Sequence, residues 1–338
     1  MFNKINTYFL SKKIKVKKHE LGILEKKVSF WKPFLLLFPS LIIIILFTII
    51  PFIYASIQSV TYLPDPNDAT TVEYGIGSFK DVLSETAFQI GIRNSLIYAI
   101  ASLPITLIIA ILISSAIASL YRKWAKGFWQ TVFFLPYVTS AIAISIAFAY
   151  IFDTEFGIIN KIFNINTKWL DSGQSDSYLA IFVMLIYGVW KNLAFQILII
   201  TTAMLAVDKT LYKAASIDGA SKVKQFFRIT LPSITKTLNF LITIGIIGGI
   251  KVFPIAIFNN DLNAANTNGG STIILYIYGA VKQGNYSLAG AATIILFILG
   301  IALSTFLKQT IKISLMIMNK LGEKHVLNTI KATKLPIK

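Results

Sequence analysis

Six long apolar runs, separated by shorter polar segments, organise the chain. They cover residues 33–58, 94–120, 128–152, 179–206, 234–258 and 288–317. Each is long enough for an α-helix to cross a hydrocarbon core about 30 Å thick, which takes about 20 residues. Apolar side chains occupy every face of these runs rather than one stripe, as expected of helices surrounded by lipid or by one another. The pattern predicts an all-α, polytopic membrane protein with six transmembrane helices in a domain spanning 33–318. A basic tail, 1–32, precedes that domain and another, 319–338, follows it. Pro39, Pro51, Pro104 and Pro136 fall inside the runs and predict kinks, which a helix bundle tolerates where neighbours satisfy the freed backbone groups.

Composition strengthens this picture. Of the 338 residues, 55% are hydrophobic and 14% charged, against about a quarter charged in soluble domains. The mean hydropathy is +0.69. Cysteine is absent, which excludes disulfides, thiolate metal sites and cysteine nucleophiles.

The placement of charge sets the orientation. With the N-terminus inside, the cytoplasmic side carries 25 of the 32 Lys/Arg residues and five of the 15 acids, and the outer side carries five Lys/Arg and ten acids. Lysine and arginine concentrate on the cytoplasmic side of such proteins, so both termini are predicted to be cytoplasmic, in a bacterial plasma membrane. The net charge of +17 then reflects topology and attraction to lipid headgroups. No basic–aromatic groove pattern accompanies it, so no nucleic-acid partner is expected. The N-terminal tail, with nine lysines, reads as retained rather than as a cleaved signal. Its Ile5, Phe9, Leu10, Ile14 and Val16 read either as a helix lying on the anionic inner leaflet or as part of a partly disordered anchor.

Between the fourth and fifth runs, residues 208–232 form a polar cytoplasmic stretch. Lys209–Ile217 suits a helix, Asp218-Gly219 a turn, and Ala220–Arg228 a second helix before Leu231-Pro232. Ala214, Ala215, Gly219 and Ala220 give a low-relief surface onto which another backbone can dock closely. Phe226, Phe227 and Ile229 are expected to tie the second helix to the bundle, making the loop a lever rather than a tether. The spacing alone fits an ordinary loop between two helices equally well.

Polar residues inside the apolar runs point to a path. Lys191 lies near mid-membrane in the fourth run, with Asn192 and Gln196 close by, and Lys251 lies in the outer half of the fifth, after Gly245, Gly248 and Gly249. A charge in a span usually faces a cavity or a partner. Lys191, Asn192, Gln196, Gly249 and Lys251 are therefore candidates for lining a translocation path. The other reading is that the lysines bond helix carbonyls or a partner subunit while the glycines permit close packing. No Gly-Lys-Ser/Thr phosphate loop occurs, and the two histidines, His19 and His325, sit in the tails. No catalytic or metal-binding set can be assembled from the spans.

The run Tyr212-Lys213-Ala214-Ala215-Ser216-Ile217-Asp218-Gly219-Ala220, followed by Ile229-Thr230-Leu231-Pro232, resembles the EAA coupling loop of permease subunits in ATP-driven (ABC) importers. Phe38-Pro39, Arg93-Asn94-Ser95, Phe134-Leu135-Pro136, Trp190-Lys191, Lys251-Val252-Phe253 and Asn268-Gly269-Gly270 extend the resemblance. It runs from about residue 33 to 306 and is closest to carbohydrate-uptake permeases of the maltose and glycerol-3-phosphate type. The resemblance implies the type I importer fold and a sugar or glycerol-phosphate-type solute. It also implies a second related permease, two ATPase subunits and an extracellular substrate-binding protein, expected as a lipoprotein. ATP and Mg would be used by the ATPases, with no cofactor or metal bound by this chain, which is not itself an enzyme.

The coupling residues implied are Tyr212, Lys213, Ala214, Ala215, Asp218, Gly219, Ala220 and Pro232. Two positions depart from the family's pattern. Lys213 stands where the family has a glutamate, and Ser271 replaces a proline, which is expected to loosen the outer loop. The competing expectation is a secondary transporter or channel driven by an ion gradient, yet all 15 acids fall outside the six runs.

Overall fold

The computed structural model describes residues 30–62 and 73–332, with side chains through Thr310. The N-terminal tail and residues 333–338 lie outside the described residues. Two compact units divide the chain, Met1–Tyr54 and Ala55–Lys338.

Helix α1, Trp31–Val60, begins in the first unit. It passes through Pro39 and then widens into a π turn at Ile45–Ile49, resuming as α-helix at Ile50. The widening sits just ahead of Pro51. A proline has no N–H for the carbonyl four residues back and its ring crowds that carbonyl, and a wider turn relieves the clash without breaking the rod.

In the second unit, β1 (Thr61–Tyr62) pairs antiparallel with β2 (Glu73–Tyr74). Almost everything else described is helical. A short outer helix α2, Gly77–Ser84, leads into α3, Thr86–Ser119. At 1.5 Å per residue, the 34 residues of α3 extend about 51 Å, well beyond the hydrocarbon core.

The third apolar run does not form one rod. It splits into α4, Lys123–Val138, and α5, Ala141–Ile151, which meet at 90°. Pro136 weakens the last turn of α4, and Thr139 and Ser140 are extended. Thr139 caps the break, its hydroxyl donating to the Pro136 carbonyl at 2.9 Å and its N–H to that of Leu135 at 3.2 Å. The described residues therefore hold five helices long enough to span, or six spans if α4 and α5 are counted as one.

Further along come the outer helix α6, Ile158–Phe163, and the long α7, Leu179–Leu205. The cytoplasmic loop contains α8, Lys209–Ile217, and α9, Lys222–Gln225; α9 widens into a π turn, Phe226–Thr230, before Leu231–Ser233. This second π turn also stands just ahead of a proline, Pro232. Helix α10, Thr235–Ile250, is shorter than the fifth run, because the chain leaves the helix at Lys251 and re-forms only a 3₁₀ turn at Ile255–Phe258. Two outer helices follow, α11, Leu262–Thr267, and the apolar α12, Ile273–Lys282, which the six-run pattern does not contain. Finally α13, Tyr286–Ala332, continues through residues 319–332, expected from sequence as a tail.

Helix α3 is the central post, packed along α7 and α10. Small residues bring the helices close. A Cβ at Gly188 of α7 would collide with the Tyr98 hydroxyl, and one at Gly249 of α10 would come within 2.8 Å of the Ala99 Cα. Nearer the cytoplasm, the Ser114 hydroxyl of α3 donates to the Ile197 carbonyl of α7 at 3.2 Å. Between helices in a membrane, van der Waals contact and such hydrogen bonds replace the hydrophobic effect as the cohesive force.

The outer end is fastened by the Arg93-Asn94-Ser95 run. Asn94, fully buried, donates from one amide nitrogen to the carbonyls of both Gly269 and Ser271, each at 2.9 Å. Ser95 accepts the Ile273 N–H at 3.1 Å, and Arg93 donates to the Asp176 carbonyl at 2.9 Å while lying 4.3 Å over the Tyr178 ring. Ser271 does not loosen this loop. It is buried, its carbonyl is held by Asn94 and its hydroxyl donates to Asn266 at 2.8 Å. A side chain that bonds across the turn does the bracing that a proline ring does through rigidity.

Asn94→Ala leaves both carbonyls buried without that donor and is expected to cost roughly 1–3 kcal/mol. Thermal unfolding of the purified protein in detergent checks this. A midpoint within about 1 °C of the parent shows that the clasp contributes nothing measurable.

Candidate functional site

The cytoplasmic loop is built from two capped helices and a glycine turn. Asp208 opens α8, its carboxylate accepting the Thr210 N–H at 2.9 Å. That backbone hydrogen bond holds the Asp208 carboxyl below its ordinary range, so the cap stays charged at neutral pH. Helix α8 closes at Gly219, which has φ +72°. The Ala220 N–H returns to the Ala215 carbonyl at 2.9 Å and the Gly219 N–H to that of Ser216 at 3.1 Å, the paired closure that a left-handed residue permits. Ser221 then caps α9.

Three ties make the two helices one body. The Tyr212 hydroxyl lies 2.8 Å from that of Thr230, which is buried at the base of the loop. Gln225 donates to the Ser216 hydroxyl and to the Ala220 carbonyl, both at 3.0 Å. Phe226 and Leu231 pack against the inner core around Ile197, Ile200, Met204 and Ile234. Of the three side chains expected to hold the second helix, Phe226 does so and Ile229 is half-buried, but Phe227 is 62% exposed. The π turn rotates successive residues away from a regular α-helical stripe, so Phe227 and Phe226 meet edge-on rather than sharing the core.

The outer surface of the loop is low and cationic. Lys213, Ala214, Asp218 and Gly219 are exposed, and Ala215 and Ala220 are half-buried. Ala215, Asp218, Ala220, Lys224, Gln225 and Arg228 line a shallow cleft on this surface. Ile217 is 87% exposed and Val223 67%. Pro232 is exposed and follows the π turn at the start of the return into the membrane.

A second feature lies within the bundle. A cavity of about 140 Å³ opens between α3, α7 and α10. Asn192, Gln196 and Gly249 line it together with Gly245 and Gly248; Lys191 and Lys251 do not. Lys191 is half-buried, with its ammonium 3.5 Å from the Tyr187 hydroxyl one turn away. Lys251 stands exposed where α10 has already ended, outside any helix interior. The glycines divide their work. Gly248 faces open space, whereas Gly245 and Gly249 press against Leu103 and Ala99 of α3.

The polar wall contributed by α3, namely Tyr98, Ser102 and Thr106, was not singled out from sequence. Its signal was available: three polar residues four apart share one face of a stretch, 96–113, that is otherwise apolar. Gln196 is 7% exposed and its carbonyl oxygen has no partner among the described residues. A buried acceptor of this kind is costly unless a water or a solute completes it. No lining residue carries a charge.

This combination of a helical membrane domain and a braced loop before the penultimate span is that of an importer permease. Residues 110–312 match the family model described as "Binding-protein-dependent transport system inner membrane component", and the chain belongs to that family of multi-pass bacterial membrane transport subunits. It is 53% identical to the "Probable ABC transporter permease protein MG188 homolog" of Mycoplasma pneumoniae, over 86% of this chain and 88% of that one. At 27% identity it matches the arabinooligosaccharides transport system permease protein AraP of Halalkalibacterium halodurans, covering 79% and 83% of the two chains. At the same identity it matches the sn-glycerol-3-phosphate transport system permease protein UgpA of Yersinia pestis, covering 81% and 92%. Among solved structures, a bacterial ABC transporter involved in import of the acidic polysaccharide alginate shares the fold, with a TM-score of 0.65 at 21% identity, over 83% of this chain and 94% of that one.

Tyr212→Phe removes only the hydroxyl that meets Thr230. The loop is expected to loosen by about 1 kcal/mol, a several-fold rise in amide hydrogen exchange across 209–217 with α3 unchanged. Unchanged exchange in that stretch shows that the two helices are held by packing alone.

Proposed function

We propose that this chain forms half of the transmembrane pathway of an ATP-driven importer and that residues 209–232 are the surface on which an ATPase docks. The observation that carries this reading is the loop itself. It is stiff and low in relief, it lies on the side that charge placement makes cytoplasmic, and it joins α7 directly to α10, two walls of the intramembrane cavity. Tyr212, Ala214, Ala215, Asp218, Gly219, Ala220 and Pro232 shape that surface. A second, related permease completes the path, and two ATPase subunits bind and hydrolyse ATP with Mg. An extracellular binding protein delivers the solute, as the family's description implies.

Lys213 changes the terms of docking. Lys213 is exposed on the loop, and Lys224 and Arg228 line the cleft with Asp218 as its one acid, so the loop presents net positive charge. An ATPase groove carrying carboxylates complements it, and a groove built around an arginine repels it.

Asn192, Gln196 and Gly249, joined by Tyr98, Ser102 and Thr106, form this subunit's share of the translocation path. Hydroxyls, amides and an aromatic ring without charge suit a polyhydroxylated solute. Of the two solute classes named for the relatives at 27% identity, this lining favours carbohydrate over glycerol phosphate. Lys191 and Lys251 serve structure rather than solute.

Co-expression with importer-type ATPase subunits from the same genome tests the docking surface. Intact protein is expected to co-purify with that ATPase, and a chain lacking residues 209–221 is expected to lose it while remaining monodisperse in detergent. Retention of the ATPase by the deleted chain contradicts the proposal. So does full uptake by this chain alone, in ATP-free vesicles under an imposed ion gradient.

A further inference from the structure

On the bundle side of the loop lies a second cavity, of about 380 Å³. Its walls come from the inner end of α3 (Ser115, Ser119), the start of α4 (Lys126), the end of α7, and the loop (Lys209, Tyr212, Lys222). Three lysines from three separate elements therefore converge on one space, and no carboxylate lines it. The nearest acid in sequence, Asp208, is engaged with the Thr210 N–H.

Lys126 is half-buried and donates to the Ala118 carbonyl at 2.9 Å. Lys209 and Lys222 have no hydrogen-bond or ion-pair partner among the described residues. Ammonium groups gathered around one cavity repel one another until an anion enters. The cavity also sits where α3 ends at Ser119 and α4 begins at Lys123. With the orientation that charge placement predicts, that turn is the cytoplasmic end of both helices, and basic pockets between helices on that side hold lipid phosphates.

We infer that this cavity is a phosphate-binding site, bridged by Lys126, Lys209 and Lys222, that ties the coupling loop to the start of α4. The phosphate belongs to an anionic phospholipid headgroup or to a soluble phosphate, and the chemistry of recognition is the same for both. An occupied site joins the lever to the bent α4–α5 pair as well as to α7 and α10. The inference needs only the inner placement of the loop and stands apart from the identity of the docked ATPase.

The test uses the full chain in nanodiscs of phosphatidylcholine, with and without phosphatidylglycerol. Lipid retention is read by native mass spectrometry, and inorganic phosphate is titrated by thermal shift in the discs without phosphatidylglycerol. Lys209→Gln/Lys222→Gln is expected to weaken binding about tenfold or more. Lys209→Arg/Lys222→Arg, and the charge-matched Lys224→Gln/Lys236→Gln away from the cavity, are expected to retain it.

Loss of phosphatidylglycerol retention in the first variant alone identifies a lipid headgroup. Loss of the inorganic-phosphate shift in that variant alone identifies a soluble anion. Equal weakening in the Lys224/Lys236 variant reduces the effect to general surface charge and overturns the site, as does undiminished binding of both probes in the Lys209/Lys222 variant.

Discussion

A peptide group in hydrocarbon has no water to bond, so every departure from helix must be repaired within the protein. That constraint explains most of what is unusual here. Prolines near the membrane edges, Pro51 and Pro232, are preceded by π turns that move the crowded carbonyl aside. Where the rod breaks outright, Thr139 caps the exposed carbonyls. Where the outer loop re-enters the bundle, Asn94 alone satisfies two of its carbonyls. The irregular backbone at the outer face is therefore tied to α3 by side-chain hydrogen bonds.

Stiffness matters because fuel and path are in different chains under the proposed function. Force entering at the loop reaches the cavity only if the loop does not deform first. Its two helices are closed by the Gly219 turn, cross-tied by Tyr212–Thr230 and Gln225, and seated by Phe226 on the inner core. They continue through backbone into α7, which carries Asn192 and Gln196, and into α10, which carries Gly245, Gly248 and Gly249. A displacement of the loop thus tilts two of the three walls of the cavity against α3. Under the proposed function, such a tilt is the rigid-body rearrangement on which alternating access depends.

Much of this was legible in the sequence, and the omissions share a cause. Long apolar runs and the lysine bias report burial in lipid, so four of the six runs coincide with single long helices and the fifth with α10 and the 3₁₀ turn after it. Neither signal reports axis direction, so the 90° break after Pro136 looked like an ordinary kink. Hydropathy does not mark where a helix stops, so the sequence did not show that α10 ends one residue before Lys251, although the apolar span runs on to Phe258. The same blindness hid α12, an apolar helix too short to span, and carried the C-terminal tail inside α13. The loop was legible because capping and turn residues act locally, as Asp208, Gly219 and Ser221 do. The α3 side of the cavity was missed because Tyr98, Ser102 and Thr106 are individually unremarkable, and only their four-residue spacing places them together. Ser271 misled because the loss of a proline says nothing of the hydrogen bonds that replace it.

The absence of cysteine makes the lever directly measurable. Spin labels placed at Ile217 and Val223, both exposed on the loop, and at Leu112, exposed on α3, give one distance within the loop and two across to the central helix. Double electron–electron resonance on the assembled importer, nucleotide-free and then trapped with ATP, compares them. A rigid lever predicts an Ile217–Val223 distance that is narrow and unchanged while both distances to Leu112 shift together. A loop whose internal distance broadens or changes while the distances to Leu112 stay fixed contradicts the account.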